Sequence, residues 1–237
     1  MLLLAAPVVE LDALSSIAIA FIKTVIQLSV IKQMAVNTEK SNRICHRQIH
    51  YISAIPGLSY IPNYIEGSES DRLLQIIDQQ PWLTDLKRRV QHYGYKYDYK
   101  KRMLDYSMFL GELPDWIENI ARRLYRDKLI KVVPDQAIIN EYNPGQGISS
   151  HIDCIACFTE TIISLSLGSV CVMEFTHSKT KEKIALKLET RSLVVLKDEA
   201  RYEWKHAIPP RKKDKYDGEQ IERSRRVSVT FRKVILV

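Results

Sequence analysis

The chain contains the stretch Asn140-Glu-Tyr-Asn-Pro-Gly-Gln-Gly-Ile-Ser-Ser-His-Ile-Asp153, in which a strand pattern, a tight turn and a pair of polar residues follow one another. The turn is predicted by its Pro and Gly residues. Side chains of an extended chain repeat every two residues, so His151 and Asp153 point to the same side, as do Asn140 and Tyr142. An imidazole and a carboxylate placed side by side can be two ligands of one metal ion.

Later in the chain, one more histidine and one arginine complete a candidate site for iron and a co-substrate. His206 lies in the segment Tyr202–Pro210, and Arg226 begins the last strand pattern. Two imidazoles and one carboxylate cover one face of an iron octahedron and leave positions open for a chelating co-substrate and for dioxygen. An arginine can bind the far carboxylate of a dicarboxylate co-substrate with both arms of its planar group. The pattern favours an oxygenase, but letters this few also match by chance.

The last strand pattern alternates polar and apolar residues. In Arg226–Arg232 the polar residues are Arg226, Ser228, Thr230 and Arg232, and the apolar ones are Val227, Val229 and Phe231. The two arginines therefore lie on one face. A polar face with arginines suits a barrel that binds an anion in its interior.

Composition bounds the class of protein. The chain has 237 residues, 46% of them hydrophobic, and a formal net charge of +7. This fits one globular domain with an extension, or two small domains, and an anionic partner such as nucleic acid. Four cysteines are too few for a disulfide framework, which favours a reducing, cytoplasmic location. Cys154 and Cys157 could form a redox pair or half of a zinc site, but we expect them to be packing residues.

The first 50 residues differ from the rest. The longest uncharged run there is ten residues, Ala13 to Ile22, whereas a membrane-spanning helix needs about twenty. We expect residues 1–50 to be a helical extension without a stable membrane span, and residues 51–237 to form the main domain. An alternative is that Met34 is the true start and that residues 1–33 are a mis-called translation.

Helical patterns precede strand patterns. Ser70 is predicted to cap a helix over Asp71–Gln79, and Pro114 to occupy the first position of a helix that ends at Arg126. From Pro134 onward the sequence predicts strands over Ala137–Tyr142, Thr161–Leu167, Val170–Phe175, Lys183–Leu188, Ser192–Leu196 and Arg226–Leu236. We therefore expect an α+β fold, a double-stranded β-helix (jelly roll) with helices packed outside.

Taken together, these stretches resemble the AlkB-type Fe(II)/2-oxoglutarate dioxygenases over roughly residue 50 to the C-terminus. The resemblance rests on the stretch at 140–153, on Ile163-Ser-Leu-Ser-Leu-Gly-Ser, Arg191-Ser-Leu-Val-Val-Leu, Ala200-Arg-Tyr-Glu-Trp-Lys-His and Arg225-Arg-Val-Ser-Val-Thr-Phe-Arg. It implies that Fe(II) is held by His151, Asp153 and His206. It implies that 2-oxoglutarate is contacted by Asn140, Tyr142, Arg226 and Arg232. In such enzymes, oxidation of 2-oxoglutarate with O2 is coupled to hydroxylation of an alkyl carbon on a nucleobase.

The segment Lys87–Arg102 interleaves basic and aromatic residues and resembles the family's substrate-recognition lid. Basic groups neutralise phosphates and aromatic rings stack on bases. The candidates for substrate binding are Arg89, His92, Tyr93, Tyr95 and Tyr97, with the odd-numbered tyrosines predicted to share one face of a strand. The alternative is a tyrosine-rich sheet face that packs on the barrel. Lys205 and the lysines and arginines of 211–225 form a second basic edge or a solvated loop.

Three functions follow from the resemblance and the charge. The leading hypothesis is oxidative dealkylation of N-alkylated bases in DNA or RNA by a monomeric enzyme. An alternative is hydroxylation of a modified wobble uridine in tRNA, because Gly-Gln-Gly-Ile before His151 and Arg-Tyr-x-Trp before His206 resemble the AlkB domain of tRNA-modifying homologues. At 237 residues, we expect the chain to lack the RNA-binding and methyltransferase domains that accompany the AlkB domain in the animal homologues. An alternative of another class is a non-catalytic nucleic-acid-binding module.

Overall fold

The structure is a computed structural model that describes residues 49–84, 86–98 and 103–236. The predicted helical extension falls on residues 1–50 and lies, apart from its last two residues, outside the described part of the chain. Among the described helices, none is long and apolar enough to cross a membrane.

The described residues form three helices: α1 (Gly67–Gln79), α2 (Asp115–Arg126) and the short α3 (Asp198–Tyr202). The prediction that Ser70 caps α1 is wrong. Glu66 is the N-cap, and Ser70 lies buried inside the helix, where its N–H donates to the carbonyl of Glu66 at 3.0 Å. Pro114 is the N-cap of α2 rather than its first residue, and its carbonyl accepts from two N–H groups of the first turn.

The described part of the chain contains thirteen strands. They are β1 (His50–Tyr51), β2 (Leu58–Ile61), β3 (Val90–Tyr93), β4 (Gln136–Tyr142), β5 (Ile148–His151), β6 (Ile162–Gly168), β7 (Cys171–His177), β8 (Lys183–Leu188), β9 (Leu193–Leu196), β10 (Trp204–Ile208), β11 (Lys213–Tyr216), β12 (Glu219–Glu222) and β13 (Arg226–Arg232). All six predicted strands are present. The last ends at Arg232 instead of Leu236, because the N–H of Val234 turns to Asp135 Oδ1 at 2.8 Å.

The strands form two main antiparallel sheets and a hairpin. The large sheet has the order β1-β2-β9-β6-β13-β4-β3, the small sheet has the order β5-β10-β7-β8, and β11 pairs with β12. One core lies between the two sheets and includes Tyr142 and Val194 from the large sheet and Met173, Phe175 and Trp204 from the small sheet. The predicted jelly roll is confirmed.

Helices α1 and α2 cover the outer face of the large sheet. Ile77 of α1 and Ile117 and Leu124 of α2 pack with Ile139 and Val229 in a second core. Full burial of such a side chain stabilises the fold by about 1.5–3 kcal/mol. The sheet is therefore buried on both faces, and the polar residues that alternate with these apolar ones must point into the barrel.

Strands β4 and β13 are neighbours in the large sheet and supply that polar interior. Arg226 pairs in register with Tyr142, and Ser228 pairs with Asn140. All four line one cavity inside the barrel, together with Arg232. The predicted alternation of β13 is confirmed.

Candidate metal centre and co-substrate cavity

Three predicted ligands meet at the edge of the small sheet. His151 ends β5, and His206 lies opposite it in the neighbouring strand β10. Their ring centroids are 4.4 Å apart, and His206 Nε2 lies 3.5 Å from Asp153 Oδ2. The ligand atoms of all three residues lie within 4.8 Å of one another. This spacing allows the three side chains to hold one metal ion.

A backbone contact orients the first histidine. Nδ1 of His151 lies 2.7 Å from the carbonyl oxygen of Ser149. A carbonyl can only accept, so the proton is on Nδ1 and the lone pair of Nε2 is left for a metal. A metal-bound histidine commonly has this second contact.

The protonation of the other two ligands also suits a cation. Burial tends to raise the pKa of the Asp153 carboxyl, but the nearby charges of Arg232 and the two histidines hold that pKa at about 2. Burial, with the neighbouring His151, lowers the pKa of His206 to about 3. At neutral pH the site therefore offers one carboxylate and a neutral imidazole, the forms that bind metal.

The interior of the barrel beside these ligands holds a small cavity of about 50 Å³ that Arg226 faces. Arg226 is 2% exposed, and its Nη2 donates to Ser166 Oγ at 2.9 Å. Among the described residues, Nε and Nη1 of Arg226 have no hydrogen-bond partner, and neither has Nε of Arg232. Unpaired buried donors are costly. A carboxylate co-substrate such as 2-oxoglutarate fits this donor set, because it would supply the missing acceptors.

The orientation of the Asn140 amide follows from its neighbour. Nε of Arg88 lies 2.8 Å from Asn140 Oδ1. An arginine has no acceptor, so the amide oxygen must face it and the NH2 group is left to donate elsewhere. Asn140 lines the inner cavity, as does Tyr142, whose pKa is raised by burial. Both residues can thus donate to a bound carboxylate or keto group.

The sequence interpretation missed the role of Arg201. This residue of α3 is 2% exposed and donates to four carbonyls at 2.9–3.3 Å, those of Asp153, Cys154, Phe158 and Thr159. His206 follows five residues later in β10. Arg201 therefore ties the helix that directly precedes the strand of His206 to the segment that carries Asp153. Its signal in the sequence is the Arg-Tyr-x-Trp-x-His motif at 201–206, which marks the resemblance to the family but does not reveal these contacts.

The two cysteines after Asp153 are joined. Cys154 and Cys157 form a disulfide with a Cα–Cα distance of 5.3 Å. Both residues are buried, but the expectation that they only pack is wrong: the disulfide agrees with the alternative of a redox pair. The disulfide closes the same turn whose carbonyls Arg201 holds, so the segment behind Asp153 is constrained twice.

A wider cleft of about 610 Å³ opens outside the ligands. His151, Asp153, Asn140 and Arg232 line both this cleft and the inner cavity. Among the described residues, the rest of the lining is Leu86, Arg88, Tyr97, Ile138, Ile148, Ser149, Ser150, Ile152, Cys154, Ile155, Phe158 and Lys205. A substrate in the cleft would therefore reach the metal ligands directly.

Of the five predicted substrate-binding residues, Tyr97 alone lines the cleft. The prediction that the tyrosines share one strand face is wrong. The strand β3 ends at Tyr93, and Gly94 has a positive φ of 76°, with the carbonyl of Asp135 where a Cβ would be. This conformation breaks the two-residue alternation. Tyr97 instead contacts Phe158, with ring centroids 5.7 Å apart.

The other four lie elsewhere. Tyr93 packs edge-on against Trp116 of α2, with burial raising its pKa to about 12, and Tyr95 packs on Phe109. Arg89 forms an ion pair with Glu141 at 2.6 Å, and His92 lies in β3 opposite Ile138. These contacts agree with the alternative of a tyrosine-rich segment packed on the barrel.

The residues of the predicted second basic edge differ in their surroundings. Lys205 is exposed and lines the cleft. Arg223, by contrast, is bound to the buried Asp214 at 2.6 Å. Arg211 forms an ion pair with Glu174. Lys205 is therefore the member of this group that faces the candidate site.

Comparisons with known proteins agree with this geometry. The family model of the 2OG-Fe(II) oxygenase superfamily matches residues 75–232. The alkylated DNA repair protein ALKBH8 homolog of Arabidopsis thaliana is 39% identical over 203 residues, which cover 76% of this chain and 59% of that protein. The tRNA (carboxymethyluridine(34)-5-O)-methyltransferase ALKBH8 of Mus musculus is 37% identical, over 76% of this chain and 30% of that protein.

The fold matches as well. The solved structure of OsALKBH1 superposes with a TM-score of 0.60 at 15% identity, over 78% of this chain and 100% of that chain. The fold, the metal ligands and the family match define an oxygenase that uses Fe(II) and 2-oxoglutarate. The chain belongs to the AlkB-type branch of the 2OG-Fe(II) oxygenase superfamily. It spans less than two thirds of the length of both ALKBH8 relatives.

Proposed function

We propose that the protein hydroxylates an alkyl carbon carried by a nucleobase of RNA, with a modified uridine of tRNA as the first candidate substrate. The observation that carries this proposal is the cleft of about 610 Å³ that ends on His151 and Asp153. Its lining combines aromatic rings, from Tyr97 and Phe158, with the cations Arg88 and Lys205. Rings that stack on a base and cations that attract phosphate suit an unpaired nucleotide.

The residues of the site have distinct parts in this reaction. Fe(II), 2-oxoglutarate and O2 would together supply the oxidising chemistry when bound, with O2 as the oxidant. His151, Asp153 and His206 would hold the metal, and the unpaired donors of Arg226 would bind a carboxylate of the co-substrate. The buried barrel interior would keep water away from this carboxylate, which strengthens its pairing with arginine.

Two substrate classes are supported to different degrees. The name of the mouse relative states a tRNA carboxymethyluridine, and the matched region is 37% identical. The Arabidopsis relative is named for repair of alkylated DNA. Oxidative dealkylation of N-alkylated bases in DNA or RNA is therefore the second candidate. A non-catalytic binding module is set aside, because the metal ligands and the arginine cavity are both in place.

A single assay separates the candidates. Purified protein is incubated with Fe(II), 2-oxoglutarate and ascorbate on bulk tRNA and, separately, on oligonucleotides that contain 1-methyladenine or 3-methylcytosine. Nucleosides, succinate and formaldehyde are then quantified by mass spectrometry. A gain of one oxygen on a tRNA uridine supports the first candidate, and loss of methyl with release of formaldehyde supports the second.

Matched variants make the outcome decisive. His151→Ala removes a ligand, whereas His50→Ala removes an exposed histidine at the far end of the large sheet. We expect product from the wild type and from His50→Ala, and none from His151→Ala. Equal product from all three proteins would mean that the oxidation does not occur at this site.

A further inference from the structure

Two cations of the cleft have no carboxylate partner in the described part of the chain. Arg88 and Lys205 both line the cleft. Among the described residues, no carboxylate oxygen lies within 4.0 Å of either one. Arg232, in the same wall, is paired with Asp153 at 2.6 Å. The cleft therefore has positive charge that the described protein groups do not neutralise.

Arg88 is half-buried in the wall of the cleft, where a hydrogen bond holds it. Its Nε donates to Asn140 Oδ1 at 2.8 Å, and its guanidinium lies 5.9 Å from the centre of the Tyr142 ring. Asn140 lines both the cleft and the inner cavity. Arg88 is therefore bound to a residue that lines both spaces, in the same cleft as His151 and Asp153. Lys205 is exposed instead, which suits contact with a phosphate.

The described lining offers no free anion to balance a positive substrate. Asp153 is the one acidic residue among the described groups of the cleft. It is a candidate metal ligand and is paired with Arg232. A positively charged base that entered the cleft would thus meet Arg88 without a compensating carboxylate.

The charge of the substrate base depends on where it is modified. Alkylation at N1 of adenine or N3 of cytosine leaves the ring positively charged at neutral pH. A uridine alkylated on a ring atom stays neutral, and a carboxymethyl group makes it anionic. We propose that Arg88 is a specificity residue that selects the target base by charge, admitting neutral or anionic modified bases and disfavouring cationic ones. This inference rests on the proposed function and narrows its substrate class.

The test uses pairs of short RNAs that differ in charge but hardly in shape. In the first pair, 3-methylcytidine is cationic and 3-methyluridine is neutral, with the methyl group on the same ring atom. In the second pair, 5-carboxymethyluridine is anionic and its methyl ester is neutral. Affinity is measured by fluorescence anisotropy with Mn(II) in place of iron and with 2-oxoglutarate present. Turnover with Fe(II) is followed by mass spectrometry.

We expect the wild type to bind 3-methyluridine at least about tenfold more tightly than 3-methylcytidine, because like charges at short range repel inside a partly desolvated cleft. Arg88→Gln should bring this ratio close to one, and Arg88→Glu should reverse it. The ratio is taken within one variant, so a general loss of folding or of co-substrate affinity cancels. Lys205→Gln is the matched control and should weaken both RNAs to a similar extent.

The outcomes are distinct. An affinity ratio that is the same in wild type, Arg88→Gln and Arg88→Glu overturns charge selection by Arg88, whether or not the RNAs are oxidised. If oxidised bases form while that ratio stays constant, the proposed function stands and the inference fails. If no RNA is oxidised but the affinity ratio follows the charge of residue 88, charge selection by Arg88 stands and the proposed function fails.

Discussion

The guanidinium of Arg232 donates to Oδ1 of Asp153 at 2.6 Å, while Oδ2 of the same carboxylate lies 3.5 Å from Nε2 of His206. Arg232 ends β13 in the large sheet, whereas His206 lies in β10 of the small sheet. The carboxylate is thus fixed between the two sheets of the barrel. One of its oxygens is held by the protein, and the other faces the histidines.

Replacing the Asp153 carboxylate should abolish metal binding without changing the size of the side chain. Asp153→Asn keeps the size of the side chain but loses the charge that a divalent cation needs. We expect the affinity for Mn(II) or Co(II) to fall by more than about 100-fold, since even outer-shell partners of a metal are worth about 10–100-fold. Calorimetric titration measures this, with the exposed Asp78→Asn as the control. Unchanged affinity in Asp153→Asn would place the metal elsewhere.

Arg226 should control binding of 2-oxoglutarate. Arg226→Gln removes a buried charge-assisted pair with the co-substrate, a change that costs about 2–5 kcal/mol. We expect the affinity of the Mn(II)-loaded protein for 2-oxoglutarate to fall by about 30-fold or more, measured anaerobically by calorimetry. Arg225→Gln, at the preceding position, is the control, because Arg225 pairs with Glu141 and Asp78 and does not line the cavity. Equal losses in both variants would contradict the assignment.

Acid should destabilise the metal-free protein in a window set by His206. This imidazole has a pKa of about 3 in the folded protein, against an ordinary value of 6.5. The unfolded chain takes up a proton below pH 6.5 and the folded chain does not, so stability is complete above pH 6.5 and is lost as the pH falls. Between pH 6.5 and pH 5 the loss is about 2 kcal/mol.

Urea denaturation in EDTA at several pH values measures this loss. His206→Gln should flatten the dependence between pH 6.5 and pH 5. Asp153, whose pKa falls from 3.8 to about 2 on folding, adds a loss only below pH 3.8. A profile that is as steep in His206→Gln as in the wild type would assign the dependence to other groups.

Tyr97 and Tyr93 should differ although both belong to the same tyrosine-rich segment. Tyr97→Ala removes a ring from the cleft, and we expect RNA affinity to fall by about 5–100-fold, as for loss of one stacking residue. Tyr93→Ala removes the contact with Trp116 and should lower the free energy of unfolding with little effect on RNA binding by the folded protein. Fluorescence anisotropy measures the RNA affinity of both variants, and thermal denaturation measures their stability. Weaker RNA binding in Tyr93→Ala but not in Tyr97→Ala would contradict the structure.

Loss of Arg201 should loosen the segment that carries Asp153. Arg201→Met keeps the length of the side chain but leaves several buried carbonyls without donors, each costing about 1–3 kcal/mol. We expect a lower melting temperature and weaker Mn(II) binding together. Arg122→Met, on the exposed face of α2, serves as the control. If Arg201→Met loses stability but binds Mn(II) as tightly as the wild type, Arg201 stabilises the fold and does not position Asp153 for the metal.

The sequence by itself determined the barrel and its polar interior. The alternation in β13 and in β4 is a local property of the sequence. Successive side chains of a strand point to opposite faces, so once the apolar face is buried the polar side chains must share the other face. The grouping of Arg226 with Arg232 and of Asn140 with Tyr142 followed from that period. The spacing of His151 and Asp153 was readable for the same reason.

Only the tertiary structure decided which other groups reach the site. Gly94 adopts a positive φ that no period reveals, and it places Tyr97 in the cleft while Tyr93 packs against α2. Arg88 and Arg201 act through partners 52 and 48 residues away in the chain. Such contacts depend on how distant strands and loops pack, and hydrophobic periodicity carries no information about them.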